Sequence, residues 1–331
     1  MNILRRKIKM DNRIKISYLV VTWNNQEIIE ECLNSLLKFE NKYDNQIIVV
    51  DNNSSDNTCK IIKENFSENV ELIESSTNYG FSKANNIALK YAKGDYIFYV
   101  NPDVIFIEDI VSPMINILQN KSYVGIVSPC LVYRDKKYQV STGNFPSISK
   151  LIFDDLQIYH LVPSKIKMKF AQAQYKNKQN RYVDWTYGAA HFCRYEDVNK
   201  IQGYPSDIFM YGEDTEFCMI FLKKLNQKTF YLGSSELIHI GGFSESKVIN
   251  SKKVTYVTRS NLNFVKKYHN YIYYYIYKYL YLFVSLLKYL IFSIAAIFKN
   301  DLKISNGKIK WKNTAKTIFC DNEDVFENKI K

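Results

Sequence analysis

Two hydrophobic periods alternate along the first two thirds of the chain. ISYLVV (16–21) and QIIVVD (46–51) are short, β-branched runs of strand length, and VELIE (70–74), YIFYV (96–100), VGIVSP (124–129) and KTFYLG (228–233) repeat the pattern. Between the first two, Ile28, Ile29, Cys32, Leu33, Leu36 and Leu37 recur at the spacing of one helical face. Further helices are predicted through Ile61, Ile62 and Phe66, from about Ser82 to Lys93 with Gly94 as C-cap, after Asp109, and along Phe217, Ile220, Phe221 and Leu225. Strands alternating with helices predict an α/β fold built on a mostly parallel, doubly wound sheet, since each parallel return needs a crossover.

The periodicity weakens between about Tyr133 and Arg181, where HLVPSKIKMKFAQAQYKNKQNR is basic and polar and reads as a variable insertion. Order returns in DWTYGAAHFCR (184–194), a strand interrupted by Gly188, Ala189 and Ala190. Neither a repeat nor a low-complexity linker divides 15–246, so it reads as one domain behind a basic segment, 1–14. Beyond it, YIYYYIYKYLYLFVSLLKYLIFSIAAIF (271–298) is almost wholly apolar or aromatic. On a helical projection Lys278, Ser285, Lys288 and Lys299 share a sector of about 80°. The run is long enough to span a bilayer, but Lys288 near its middle is costly in hydrocarbon. A helix, whole or in two pieces, lying in a membrane interface is therefore expected, with packing on the rest of the chain or a homodimer contact as the alternative.

Charge sharpens this division. From Lys247 to Lys331 there are 16 Lys and Arg against 5 Asp and Glu, a surplus of 11 in a chain whose total is +12. A basic tail rich in Tyr, Phe and Leu suits an anionic membrane surface rather than nucleic acid. The six cysteines include no CxxC and no zinc-like spacing to histidine, in keeping with a reducing compartment, and the first sixteen residues contain no apolar core of a secretory signal. The expectation is a cytoplasmic protein held peripherally at the inner face of the membrane.

Candidate chemistry sits where strands stop. Tyr96–Val100 ends at Asn101-Pro102-Asp103, because proline lacks the N–H that a central strand needs. Asp103 is thus a candidate for handling a metal or diphosphate, or else a loop cap. Asp51 ends the second strand, where a carboxylate can accept hydrogen bonds from a base or ribose. Asp214, beside Glu213 in YGEDTE, opens a helix whose dipole favours an ionised carboxylate. The plain alternative is an ordinary acidic first turn. His239, following a strand, is either structural or a further ligand.

These motifs in this order resemble family 2 glycosyltransferases of the GT-A fold, within them a bacterial rhamnosyltransferase-like branch that builds cell-surface polysaccharides. The resemblance is carried by VVTWNN (20–25), VVDNNSSDNT (49–58), NYGFSKANN (78–86), YVNPD (99–103), YGAAHFCR (187–194), YGEDTEFC (211–218) and HIGGFS (239–244), and covers about 15–265. It implies a nucleotide-sugar half at about 15–130, an acceptor half at about 131–246, and a membrane-associating tail, 247–331. Thr22, Asn24 and Asp51 would hold the nucleoside, with Asp56 nearby. Asn78, Gly80, Phe81 and Asn85 would floor the sugar diphosphate. NPD resembles the family's DXD motif with Asn101 in place of its first Asp, leaving Asp103 as metal ligand, joined by His239. The cofactor implied is a divalent cation, Mg2+ or Mn2+. Asp214 matches the catalytic base, with Glu213 beside it, and Arg259 could neutralise a phosphate. The activity implied is inverting transfer of a sugar, from dTDP-rhamnose or a UDP-hexose, to a saccharide or lipid-linked acceptor. An inactive relative that binds glycan or scaffolds an assembly is the alternative. An NAD-linked enzyme would instead carry GxGxxG where this chain has TWNN.

Overall fold

The computed structural model describes residues 14–38, 42–156, 178–208, 210–241, 250–299 and 301–321. The basic segment before Ile14 and the middle of the predicted insertion lie outside these residues. The described residues form two compact units, one of 14–142 with 178–240, the other of 143–156 with 241 and 250–321. The stretch read as one insertion is thus divided: 133–142 and 178–181 belong to the first unit, and 143–156 belongs with the C-terminal helices.

The first unit is built on a sheet of nine strands among the described residues: β1 (Lys15–Thr22), β2 (Asp44–Asp51), β3 (Val70–Glu74), β4 (Tyr96–Val100), β5 (Val104–Phe106), β6 (Val124–Val132), β7 (Arg181–Val183), β8 (Ala190–Arg194) and β9 (Lys228–His239). Their order is β3-β2-β1-β4-β8-β6-β9-β5, with β7 also on β9. Strands β1 to β4 are mutually parallel, as is β6 with β9. The sheet is nevertheless mixed, because β8 runs antiparallel between β4 and β6, and β5 and β7 run antiparallel to β9. A short apolar run reads alike in either direction, so the sense of β8 is set by the path the chain takes into it.

Alternation along the strands explains the layers. Ile16, Tyr18 and Val20 join Ile47, Val49 and Phe98 in a cluster packed on Ile29, Cys32 and Leu33 of α1 (Ile29–Leu37) and Met114 and Leu118 of α4 (Val111–Asn120). The residues between them, Leu19, Ile48, Val50 and Ile97, are equally buried but outside that cluster, as expected of a sheet covered on both faces. The remaining helices of the unit are α2 (Thr58–Asn65), α3 (Gly80–Leu89), α5 (Tyr195–Ile201) and α6 (Glu213–Leu225).

Three local details differ from the pattern in the sequence. Helix α3 ends at Leu89, and Gly94 is required for close packing rather than as a cap: a Cβ there would lie 2.5 Å from the backbone nitrogen of Ser17. Strand β6 continues through Pro129, and the β6–β9 register breaks immediately beyond it, between Leu232 and Glu236. The chain past Asp103 forms β5 at once, pairing Val104 with His239, so His239 ends a strand instead of following one.

The second unit contains α7 (Ser251–Tyr268), α8 (Tyr271–Phe298) and α9 (Leu302–Phe319). Helix α8 is a single unbroken rod of 28 residues packed on α9. Phe145 stacks on Phe264 at 5.5 Å, and the Tyr273 hydroxyl accepts from the backbone N–H of Ile148, so the chain around 145–155 belongs to this unit.

Candidate active site

The strand ends of β1, β2 and β4 lie side by side, because parallel pairing registers Thr22 with Asp51 and Val20 with Val100. Their loops form one edge, where an open α/β sheet binds its ligand. The backbone N–H of Asn52 donates to the Thr22 carbonyl at 2.8 Å. Thr22 Oγ1 donates to Asn25, and Asn24, at a positive φ of 53°, accepts from the Ser55 N–H at 2.8 Å. Asp51 is buried; its Oδ2 accepts from Ser54 N–H at 2.8 Å, while its Oδ1 has no N–H or O–H donor. The Cys59 thiol beside it, pushed up to about 12 by burial and then by Asp51, stays protonated and is a weak donor. Asp56 is engaged locally, its Oδ1 accepting from the Thr58 N–H at the start of α2.

Next along the edge, Asn78 Oδ1 accepts from the Gly80 N–H and from Asn52 Nδ2, each at 2.9 Å. Gly80 has a φ of 77°, a conformation that only glycine adopts without strain, and it delivers the chain into α3. Phe81 meets Tyr204 edge-to-face at 5.3 Å. Asn85 is buried and donates to the Phe81 carbonyl, which holds that turn of the helix.

Asp103 and His239 come together. Backbone pairing of Val104 with His239 and a 2.8 Å bond from the Ile240 N–H to the Asp103 carbonyl bring His239 Nε2 to 3.3 Å from Asp103 Oδ1. That approach falls outside hydrogen-bond geometry and leaves the buried Oδ1 without a partner. The other ring nitrogen, Nδ1, is 2.7 Å from Gln139 Oε1. An amide oxygen only accepts, so Nδ1 carries a proton, and in the neutral ring the Nε2 lone pair then faces the orphaned carboxylate oxygen. Two unshared acceptors side by side suit a cation. No group of three His, Cys, Asp or Glu able to hold a metal occurs among the described residues, so oxygens from a ligand or water would have to complete its shell.

The acidic pair lies at the start of α6. Asp214 Oδ1 accepts from the Thr215 N–H at 2.7 Å, and a Cβ on Gly188 would stand 3.5 Å from the Asp214 side chain and 3.4 Å from Phe81. Gly188 leads into Ala189, whose carbonyl accepts from the Asn101 N–H at 3.0 Å. The backbone therefore links Phe81, Gly188, Asp214 and the NPD turn into one neighbourhood. Burial pushes Asp214 up to about 6, and Glu213, Oε2 of which has no hydrogen-bond partner, up to about 8 through burial and then the charge of Asp214. Both carboxyls therefore hold their protons to higher pH than free side chains do. Behind them, Tyr204 stacks on Phe217 at 4.1 Å and is 2.7 Å from His191 Nδ1, while burial drives His191 down to about 4, so it is a neutral packing group.

A family model described as glycosyl transferase family 2 matches residues 17–189, just over half of the chain. The chain belongs to glycosyl transferase family 2. This family 2 glycosyltransferase is 28% identical over 215 residues to rhamnosyltransferase WbbL of Escherichia coli, covering 61% of the chain and 74% of the relative. It is 40% identical over 95 residues to a poly(ribitol-phosphate) beta-glucosyltransferase of Bacillus spizizenii; that stretch is 27% of the chain and only 15% of the much longer relative. The fold is GT-A. A mannosyltransferase of Pyrobaculum calidifontis, solved with GDP-Man and Mn2+, superposes with a TM-score of 0.59 at 14% identity, covering 95% of this chain and 89% of its own. GalNAc-T7, solved with UDP, GalNAc and Mn2+, gives 0.57 at 13% identity over 97% of this chain and 57% of its own.

Of the residues expected to act, Thr22, Asn24, Asp51, Asn78, Gly80 and Phe81 occupy the loop edge of the first unit, Asp103 pairs with His239, and Asp214 with Glu213. Asn85 is turned to its own helix, and Arg259 lies on α7 of the second unit. Gln139 was missed. It lies in the stretch that looked irregular, held by its N–H to the Leu131 carbonyl, and a glutamine there has no sequence signature until β6 is seen to reach Val132. Tyr204 was missed too, its aromatic ring being indistinguishable in sequence from any core tyrosine.

Proposed function

We propose that this chain is an inverting glycosyltransferase that moves a sugar from a nucleoside-diphosphate sugar to a hydroxyl of a saccharide or lipid-linked acceptor in cell-surface polysaccharide synthesis. The observation that carries the reading is the Asp214 carboxyl packed against Gly188, next to Glu213 and on the backbone path to Asp103. Asp214 takes the proton of the acceptor hydroxyl. The oxygen then forms its bond to the anomeric carbon while the bond to the diphosphate breaks on the opposite face, its electron pair leaving with the nucleotide. Gly188, with no side chain against Asp214 and Phe81, leaves room for the acceptor, whereas Ala189 and Ala190 are buried in the core. The Oδ1 of Asp51, which no N–H or O–H of this chain reaches, suits a donor group of the base or ribose, and Arg259 is assigned a phosphate.

A divalent cation, Mg2+ or Mn2+, fits between Asp103 and His239 and when bound would supply positive charge against the departing diphosphate. The likeness to a rhamnosyltransferase makes dTDP-rhamnose the first donor to try, with UDP-hexoses next. The one described helix long and apolar enough to cross a membrane, α8, supports work at the cytoplasmic face of the cell membrane, where a lipid-linked acceptor is presented.

A panel of nucleotide sugars, scored by thermal stabilisation and slow donor hydrolysis, with the anomeric configuration of the product read by NMR, tests the reading. One donor should stand out and the product should be inverted. A retained configuration would remove Asp214 as base, and indifference to every donor would sink the transferase.

A further inference from the structure

Helix α8 has two unlike faces. Tyr274, Tyr277, Tyr281, Val284 and Ser285 are buried. On the opposite side, positions from Ile272 through Ile276, Phe283, Leu290 and Ile294 to Ile297 share a sector of about 80° at 100° per residue. Every large side chain in that sector is apolar or aromatic and between 49% and 77% exposed. The stripe is about 38 Å long. Lys278 and Lys288 fall outside it, on the side of the buried residues, and Lys278 donates to the Asp321 carbonyl at 2.9 Å. An uninterrupted apolar surface of this length on a helix marks an interaction site.

Charge identifies the occupant. Between 250 and 321 there are 13 Lys and Arg against Asp301 and Asp321 alone. A second copy would bring an equal positive charge against the first, whereas an anionic lipid surface attracts it. We propose that the stripe docks this protein on an anionic bilayer, with α8 seated lengthwise in the headgroup–acyl boundary and not across the membrane. Crossing would strip α8 from α9 and carry Lys278 and Lys288 into hydrocarbon, while lying flat immerses only the charge-free face. Tyr271, Tyr275 and Tyr279, at the N-terminal end, are side chains that favour the interfacial layer. The surface belongs wholly to the second unit and does not depend on the transfer reaction.

The test is sedimentation of the full chain with phosphatidylcholine vesicles with and without about a third phosphatidylglycerol. Binding is expected on the anionic vesicles, and a Phe283→Glu, Leu290→Glu double variant should lose it at least tenfold while keeping its helical spectrum and melting temperature. Both sites are exposed, so the fold tolerates the charges. Nitroxide labels on cysteines placed at Ile276 and at Ile294, in a Cys320→Ser chain, should report one common depth. Depths that differ by the helical rise between them would mean a spanning helix. Indifference to anionic vesicles, undiminished binding by the double variant, or a dimer that hides the labels from lipid would each overturn the proposal.

Discussion

Asp214 and Glu213 are adjacent and chemically alike; burial raises both, and the charge of Asp214 raises Glu213 further. Turnover should therefore fall as pH drops through about 6, where the base takes up its proton. Asp214→Asn should lower turnover by at least about a hundredfold with donor affinity nearly intact. Equilibrium donor binding beside single-turnover rates checks that split. Glu213 adds a stability signature. Its folded pKa lies above the ordinary value of 4.5, so the folded state binds its proton more tightly, and that contribution, full at low pH, is lost as pH rises through about 8. Melting temperature should decline between about pH 5 and pH 9 less in Glu213→Gln than in the parent. At the neighbouring pair, Gln139 holds His239 with Nε2 free. Gln139→Leu should weaken Mn2+ binding by about 10–100-fold, measured by Mn2+ titration, and Gln139→Glu should restore it. Asp103→Ala supplies the comparison: if it leaves Mn2+ binding untouched, the site itself is wrong.

At the level of elements, the parallel strands β1 to β4 and helices α1 and α6 were legible because each buries a regular face, with period two or 3.6. β5 was not, since three residues after a proline turn carry too little pattern to read. The helix before Gly94 was read too long for a similar reason: glycine signals both a cap and a close approach, and only the packing of Ser17 against it tells which. Gly94→Ala forces a Cβ into the backbone of β1 and should cost about 1–3 kcal/mol, read from urea unfolding. The run 271–298 was legible as a greasy helix with a polar edge, though not as one unbroken piece. Which edge faces its neighbours was not, and the lysines prove to lie on the buried side.

For the whole molecule, charge is the asymmetric property, concentrated in the second unit while the first is close to neutral. Raising ionic strength from about 0.15 M to 0.5 M should weaken vesicle binding strongly and leave the position of the catalytic pH limb in place, because the Debye length shortens while half-buried carboxylates are less screened than surface charges. Vesicle sedimentation and the pH–rate profile, each at both salts, check this. By itself the sequence determined the α/β class, the strand-end loops, the family through its ordered motifs, and the basic apolar tail, since periodicity, breakers and charge are local properties of the chain. Only the tertiary structure decided that His239 meets Asp103, that Gln139 orients it, that Gly188 lies against Asp214, and that α8 keeps its lysines off its exposed face. Each of those depends on strand register or helix rotation, which long-range pairing and packing set and no local pattern encodes.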